Sequence, residues 1–273
     1  MTLKARILTS LVGIPLVLAT VWYGPITVLI AILILASIAA CEIYGLYKIK
    51  NRGLPRLIGI IWVCALILGE PNSPNYNTFI VISLCITCIG IFASILWLIV
   101  YSEKSRFVPA LLCMALGCTY IGILMAHFPM YYDIENSIYS GKIWLLFAIL
   151  ATFTTDTTAL LGGKTIGRHA LAPTISPNKT WEGSISGIIG SILFSIVFCY
   201  MSENPEYLWQ IAALGATVGF VSQLGDLTES KIKRTFNVKN TGSLLPGHGG
   251  LLDRLDSLLW SVPITYYLIL TLF

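Results

Sequence analysis

Apolar residues fall in long runs separated by short polar breaks, and most of the runs are long enough to cross a membrane. They cover about residues 7–23, 26–47, 56–70, 78–100, 107–127, 142–161, 184–201, 207–225 and 254–272. That makes nine candidate segments by the criterion of roughly 20 apolar residues per spanning helix. The breaks carry turn chemistry: Gly24-Pro25, the stretch Pro71-Asn72-Ser73-Pro74-Asn75, and Tyr101 to Arg106. Pro15 and Pro263 lie inside predicted helices, which neighbouring helices tolerate in a membrane. The 56–70 run is the shortest of the nine. The pattern predicts an all-α polytopic membrane protein, one integral domain over 1–273, with five spans in 1–140 and four in 141–273. No internal repeat or low-complexity tail interrupts it.

Composition agrees with the pattern. Of 273 residues, 56% are hydrophobic and 11% are charged, where a soluble domain carries roughly a quarter charged residues. The mean hydropathy is +0.82. These values exclude a soluble enzyme, and no nucleic-acid-binding module is visible. The seven cysteines all sit in or beside apolar runs. Cys85 and Cys88 have CxxC spacing, but no His or acidic residue flanks them, so they read as packing. Lys4 and Arg6 ahead of an apolar run mimic a signal peptide. No small-residue cleavage pattern follows, and the segment reads as an uncleaved first span.

Charge placement orders the spans. With nine spans, sixteen of the seventeen Lys and Arg residues fall on one side: Lys4, Arg6, Lys48, Lys50, Arg52, Arg56, Lys104, Arg106, Lys164, Arg168, Lys179, Lys231, Lys233, Arg234, Lys239 and Arg254. Only Lys142 falls on the other. The positive-inside rule then predicts a cytoplasmic N-terminus and a C-terminus outside. It also assigns the two long polar segments, 162–183 and 226–253, to the cytoplasmic face.

The first polar segment follows Asp156, an acid inside an apolar run, where ionisable residues are rare and usually functional. It carries Gly162-Gly163-Lys164 and Arg168-His169, then Ser176-Pro177-Asn178-Lys179-Thr180-Trp181-Glu182-Gly183. Gly, Ser, Asn, Thr and Lys at a helix entrance suit an anionic ligand. An ordinary loop with a boundary lysine and an interfacial tryptophan is the competing reading.

The second polar segment carries more. If the helix of the 207–225 run continues to 234, Ser222, Asp226, Ser230 and Lys233 share one stripe. Glu229, four residues before Lys233, is expected to pair with it. A glycine-rich turn, Pro246-Gly247-His248-Gly249-Gly250, precedes the last helix, in which Asp253 and Asp256 lie at i, i+3 with Ser257 beside them. Those acids, with Asp226 from another helix, offer an oxygen-only cage of the kind Mg²⁺ takes. Lys233, Arg234, Lys239 and Arg254 exceed what three acids need and suit a polyphosphate. The competing reading is a charged ring that marks a membrane boundary.

The run from Ser230 to Asp256, SKIKRTFNVKNTGSLLPGHGGLLDRLD, resembles the signature of the phosphatidate cytidylyltransferase (CDP-diacylglycerol synthase) family: S-x-φ-K-R, then K-D, then H-G-G-φ-x-D-R-φ-D, with φ apolar. ISPNKTWEG, QLGDLTES, Glu42 at the end of the second run and the span count are also similar to the family, so the resemblance covers essentially the whole chain. One position departs: Asn240 stands where the family usually has Asp after Lys. Asn keeps an acceptor oxygen and loses the charge, which suits a capping or orienting role.

The resemblance implies a nucleotidyltransferase of phospholipid biosynthesis that converts CTP and phosphatidate to CDP-diacylglycerol and pyrophosphate. Asp226, Asp253, Asp256, Lys233, Arg234 and Arg254 are the implied catalytic residues, and the three acids are the metal ligands. Ser176, Asn178, Lys179, Thr180, Ser222, Ser230, Lys239, His248, Gly249 and Gly250 are the implied substrate contacts. Mg²⁺ is the expected cofactor, with Mn²⁺ as a substitute and a second cation such as K⁺ beside it. The implied setting is a bacterial cytoplasmic (inner) membrane, with the active site facing the cytoplasm and the lipid entering from the bilayer, and a homodimer. A CTP-dependent polyprenol or lipid kinase is the nearest alternative. An ion-coupled transporter is the alternative from another class, although no two matching halves with interrupted helices are seen.

Overall fold

The computed structural model describes residues 13, 15–46, 53–69, 76–101, 107–134, 138–238, 240–242 and 250–273. Eight helices follow a short helical stretch at 15–23: α1 (Pro25–Leu46), α2 (Gly53–Gly69), α3 (Tyr76–Tyr101), α4 (Phe107–Met130), α5 (Gly141–Ile166), α6 (Trp181–Met201), α7 (Leu208–Thr235) and α8 (Leu252–Leu272). Among the described residues, seven helices are long and apolar enough to cross a membrane, and α2 supplies a shorter apolar helix, Arg56–Gly69. The protein is therefore a helical, polytopic membrane protein. The start of the predicted 7–23 span lies outside the described residues.

Two compact units form, Met1–Tyr132 with Phe236–Arg254, and Asp133–Thr235 with Leu255–Phe273. In the first, α4 packs against α1, α2 and α3. Met114, Cys118, Ile121 and Met125 repeat at helical spacing and are all buried, so one stripe of α4 forms the core. Gly24 takes φ +123° at the Gly-Pro turn before α1, a conformation that glycine adopts without a steric penalty. The Thr27 hydroxyl fastens this turn by donating to the Gly24 and Thr20 carbonyls (2.7 Å each).

In the second unit, α6 lies between α5 and α7. Small residues make the approach close. A Cβ on Gly190 would lie 2.3 Å from the Thr158 hydroxyl of α5, and one on Gly215 would lie 2.0 Å from the Ser195 hydroxyl of α6. Helices in lipid gain little from burying apolar surface against one another, so backbone proximity and interhelical hydrogen bonds matter more. One such bond joins α5 to α8, between the Thr152 and Ser261 hydroxyls (2.7 Å). Tyr139, Trp144, Phe147 and Phe198 pack as an aromatic cluster.

The polar segments fold further than the sequence pattern predicted. α5 continues to Ile166, and residues after it form a two-stranded antiparallel hairpin, β1 (Ala170–Ala172) and β2 (Ser176–Thr180), with Ala170 opposite Thr180 and Ala172 opposite Ser176. The hairpin is a small addition to the expected all-α architecture. α7 continues ten residues beyond its apolar run to Thr235, as the stripe from Ser222 to Lys233 requires. Asn237 just after it takes φ +54°, the left-handed conformation that Asn tolerates at helix ends.

Candidate active site

The second unit gathers the charged residues of three helices and the hairpin. β2 presents Lys179, and its ammonium lies 2.6 Å from Asp226 Oδ2 on α7, with side chains 26% and 33% exposed. The Ser230 hydroxyl reaches the other oxygen of Asp226 (3.5 Å). Asp256 on α8 accepts from the backbone N–H of Ser257 (2.7 Å) and meets the side chain of Glu229. Asp156 on α5 accepts from the Ser257 hydroxyl (3.3 Å), within electrostatic reach of Asp256, Asp226 and Lys179. Glu229 is buried and pairs with Lys233 at 3.3 Å, the pairing its i, i+4 spacing predicts. Four acids and two lysines, from α5, α7, α8 and β2, thus occupy one locality. The acids outnumber the lysines in this locality.

The hairpin that carries Lys179 is held at both ends. Arg234 donates through Nε to the Ile175 carbonyl (3.1 Å). Glu182 accepts from the backbone N–H groups of Arg168 (3.0 Å) and His169 (3.2 Å) and pairs with the His169 ring (2.5 Å). Thr180 caps α6 by accepting from the Gly183 N–H (3.2 Å). Gly163, Gly167 and Gly183 leave room for the Thr180 hydroxyl, since a Cβ on any of them would lie 3.2 Å or less from it.

Asp253 belongs to the first unit. Its Oδ2 accepts from the Gly250 N–H (2.8 Å) and the Thr241 N–H (3.1 Å). Glu42, on α1, accepts from the Leu251 N–H (2.8 Å), the Leu252 N–H (3.0 Å) and the Thr241 hydroxyl (3.0 Å).

The expected residues are therefore placed as follows. Asp226, Asp256, Lys179, Lys233 and Ser230 are brought together in the second unit. Arg234 is spent on the hairpin backbone. Ser222 is fully buried, and its hydroxyl donates to the Gly219 carbonyl of its own helix (3.3 Å). Ser176 and Thr180 are half-buried, and Asn178 is exposed. In the first unit Gly250 is buried and Arg254 exposed, and Asn240 is exposed immediately before Thr241. Lys239, His248 and Gly249 lie outside the described residues. Asp156 is an addition to the expected set, signalled in the sequence by its place within an apolar run. Glu42 and Thr241 are a second addition, and only Glu42 carries that signal.

Among the described residues, no three His, Cys, Asp or Glu side chains form a ready-made metal cluster. The residues nevertheless fit Mg²⁺ by donor chemistry. Asp226 and Asp256 are hard carboxylate donors from two helices, and Mg²⁺ is usually held by one or two carboxylates together with water and substrate phosphates.

Helices of spanning length that carry an acid–base cluster between them define a membrane-embedded protein with a polar site among its helices. A family model described as the cytidylyltransferase family matches residues 4–272, and the chain belongs to that family. Among curated relatives it is similar to the phosphatidate cytidylyltransferase of Staphylococcus aureus (strain COL), at 32% identity over 98% of this chain and 99% of the relative. Proteins of the same name from Staphylococcus saprophyticus and Staphylococcus epidermidis are each 31% identical, over the same shares.

Proposed function

We propose that this protein is a CTP:phosphatidate cytidylyltransferase, which forms CDP-diacylglycerol and pyrophosphate for phospholipid synthesis. The observation that carries the reading is the Lys179–Asp226 pair beside Asp256 and Asp156, set in a chain that matches a cytidylyltransferase family along nearly its whole length.

A phosphate oxygen of phosphatidate attacks the α-phosphorus of CTP. A new P–O bond forms, the bond from the α-phosphorus to the bridging oxygen breaks, and the electron pair leaves with pyrophosphate. The attacking oxygen is already anionic, so no Ser, Cys or His nucleophile is needed, and catalysis consists of positioning and charge neutralisation. Lys179 and Lys233 supply fixed positive charge for the phosphates. The hairpin clamps of Arg234 and Glu182 hold Lys179 in place. Ser176, Asn178 and Thr180 on the same strand, and Ser230 on α7, are the nearby hydrogen-bonding groups for nucleotide or lipid phosphate. Asp226 and Asp256 would hold Mg²⁺, which when bound would neutralise phosphate oxygens; Asp253 is a further catalytic acid of the Ser230–Asp256 signature, Mn²⁺ is a substitute and K⁺ a candidate second cation.

Nine spans place both polar segments on the cytoplasmic face, where CTP is found, with the N-terminus inside and the C-terminus outside. The membrane is then the bacterial cytoplasmic (inner) membrane. The lipid substrate enters from the bilayer, and the working form is a homodimer.

The test is product analysis. Purified protein with CTP, phosphatidate and Mg²⁺ is expected to yield CDP-diacylglycerol and pyrophosphate in equal amounts by mass spectrometry. EDTA and Asp226→Asn should each abolish both products. A folded wild-type protein that forms neither product would refute the reading.

A further inference from the structure

α1 has no charged residue from Pro25 to Cys41 and then carries one buried acid, Glu42, at 9% exposure. A buried carboxylate is tolerated where its lone pairs are filled. Glu42 fills them with groups about two hundred residues away in sequence. Oε1 accepts from the Leu251 N–H, and Oε2 accepts from the Leu252 N–H and the Thr241 hydroxyl. Leu251 and Leu252 stand at the entrance of α8, where N–H groups lack intrahelical partners and a negative charge complements the helix dipole.

Asp253 completes the arrangement from the other side. Thr241 is shared between the two acids: its N–H goes to Asp253 and its hydroxyl to Glu42. Gly250 also donates to Asp253 (2.8 Å). The backbone is shaped to admit Glu42. A Cβ on Gly242 would lie 2.5 Å from Glu42 Oε1, and a Cβ on Gly250 would lie 2.5 Å from Glu42 Oε2 and 2.2 Å from the Thr241 hydroxyl. Glycine is therefore required at both positions for this contact. Part of the polar signature before α8 is thus folded around an acid that lies outside the signature.

We propose that Glu42 is a positioning residue for the transferase. It fixes Thr241–Gly242 and Gly250–Leu252, and through them it sets the orientation of Asp253. The inference rests on the reading given under Proposed function. A purely structural staple would lower thermal stability and leave the kinetics of the folded protein unchanged. A positioning role acts on turnover in protein that is still folded.

The full-length chain in detergent, as wild type, Glu42→Gln and Glu42→Asp, separates the two. Gln replaces one acceptor oxygen with a donor that faces backbone N–H groups, whereas Asp keeps two acceptors. Glu42→Gln is expected to lower kcat for CDP-diacylglycerol formation by about tenfold to a hundredfold, the usual effect of losing a group that orients a ligand. The KM for phosphatidate should stay unchanged, and Glu42→Asp should restore part of kcat. Folded Glu42→Gln with wild-type kcat overturns the proposal, whatever its Tm. If Glu42→Gln does not fold, Thr241→Val decides. Loss of its single hydroxyl bond should lower kcat by about threefold to tenfold, and wild-type turnover in that variant overturns the proposal. An inactive wild type would refute the functional reading itself; an active wild type with an unaffected Glu42→Gln refutes only the role of Glu42.

Discussion

At the scale of single residues, the site depends on which charges meet. Lys179 on β2 holds Asp226 on α7 at 2.6 Å, and both are only partly exposed, so solvent does not replace the pair cheaply. Lys179→Ala is expected to lower kcat/KM for CTP by about tenfold to a hundredfold, the equivalent of one charge-assisted hydrogen bond of roughly 1.5–3 kcal/mol. Initial-rate kinetics at varied CTP check it, and an unchanged kcat/KM would remove Lys179 from the phosphate site. The sequence showed some of this and concealed the rest. The Glu229–Lys233 pair was legible because i, i+4 partners are neighbours on any helix. The Lys179–Asp226 pair was not, because it joins a strand to a helix 47 residues later and only tertiary packing brings them together. Glu42 was visible as an acid after an apolar run, but its partners lie on the far side of the chain.

At the scale of elements, close helix approach carries more weight than any single hydrogen bond. A side chain on Gly215 would collide with Ser195 and with the Ser191 carbonyl (2.0 and 2.8 Å). Gly215→Val is therefore expected to destabilise the protein by about 1–3 kcal/mol, the usual cost of overpacking. Thr152→Val, which removes the interhelical hydroxyl contact to Ser261 together with a bond to the Ala148 carbonyl of its own helix, should cost about 0.6 kcal/mol, the average for interhelical bonds within a membrane. Unfolding in detergent ranks the two, and a larger loss for Thr152→Val would contradict the packing account. The helices were legible from length and apolarity alone. The hairpin was not, because its strands are three and five residues long and are fixed by Arg234 and Glu182 instead of by an alternating apolar pattern. The extension of α7 to Thr235 was readable only as a condition for its polar stripe, since hydropathy falls where the helix continues.

At the scale of the whole molecule, charge distribution fixes the expected orientation. Thr174, exposed between the two hairpin strands, is predicted to face the cytoplasm. In a cysteine-free background, Thr174→Cys should react with an impermeant maleimide in inverted vesicles and stay unlabelled in right-side-out ones. The reverse pattern would overturn the topology. The central claim concerns which phosphate of CTP reaches the lipid. Purified protein, phosphatidate and Mg²⁺ are incubated in parallel with CTP labelled at the α- or the γ-phosphate, and the organic phase is counted. A cytidylyltransferase puts α-label into lipid and leaves γ-label in water as pyrophosphate. Lipid-soluble γ-label without α-label would contradict the account and make the protein a CTP-dependent lipid kinase.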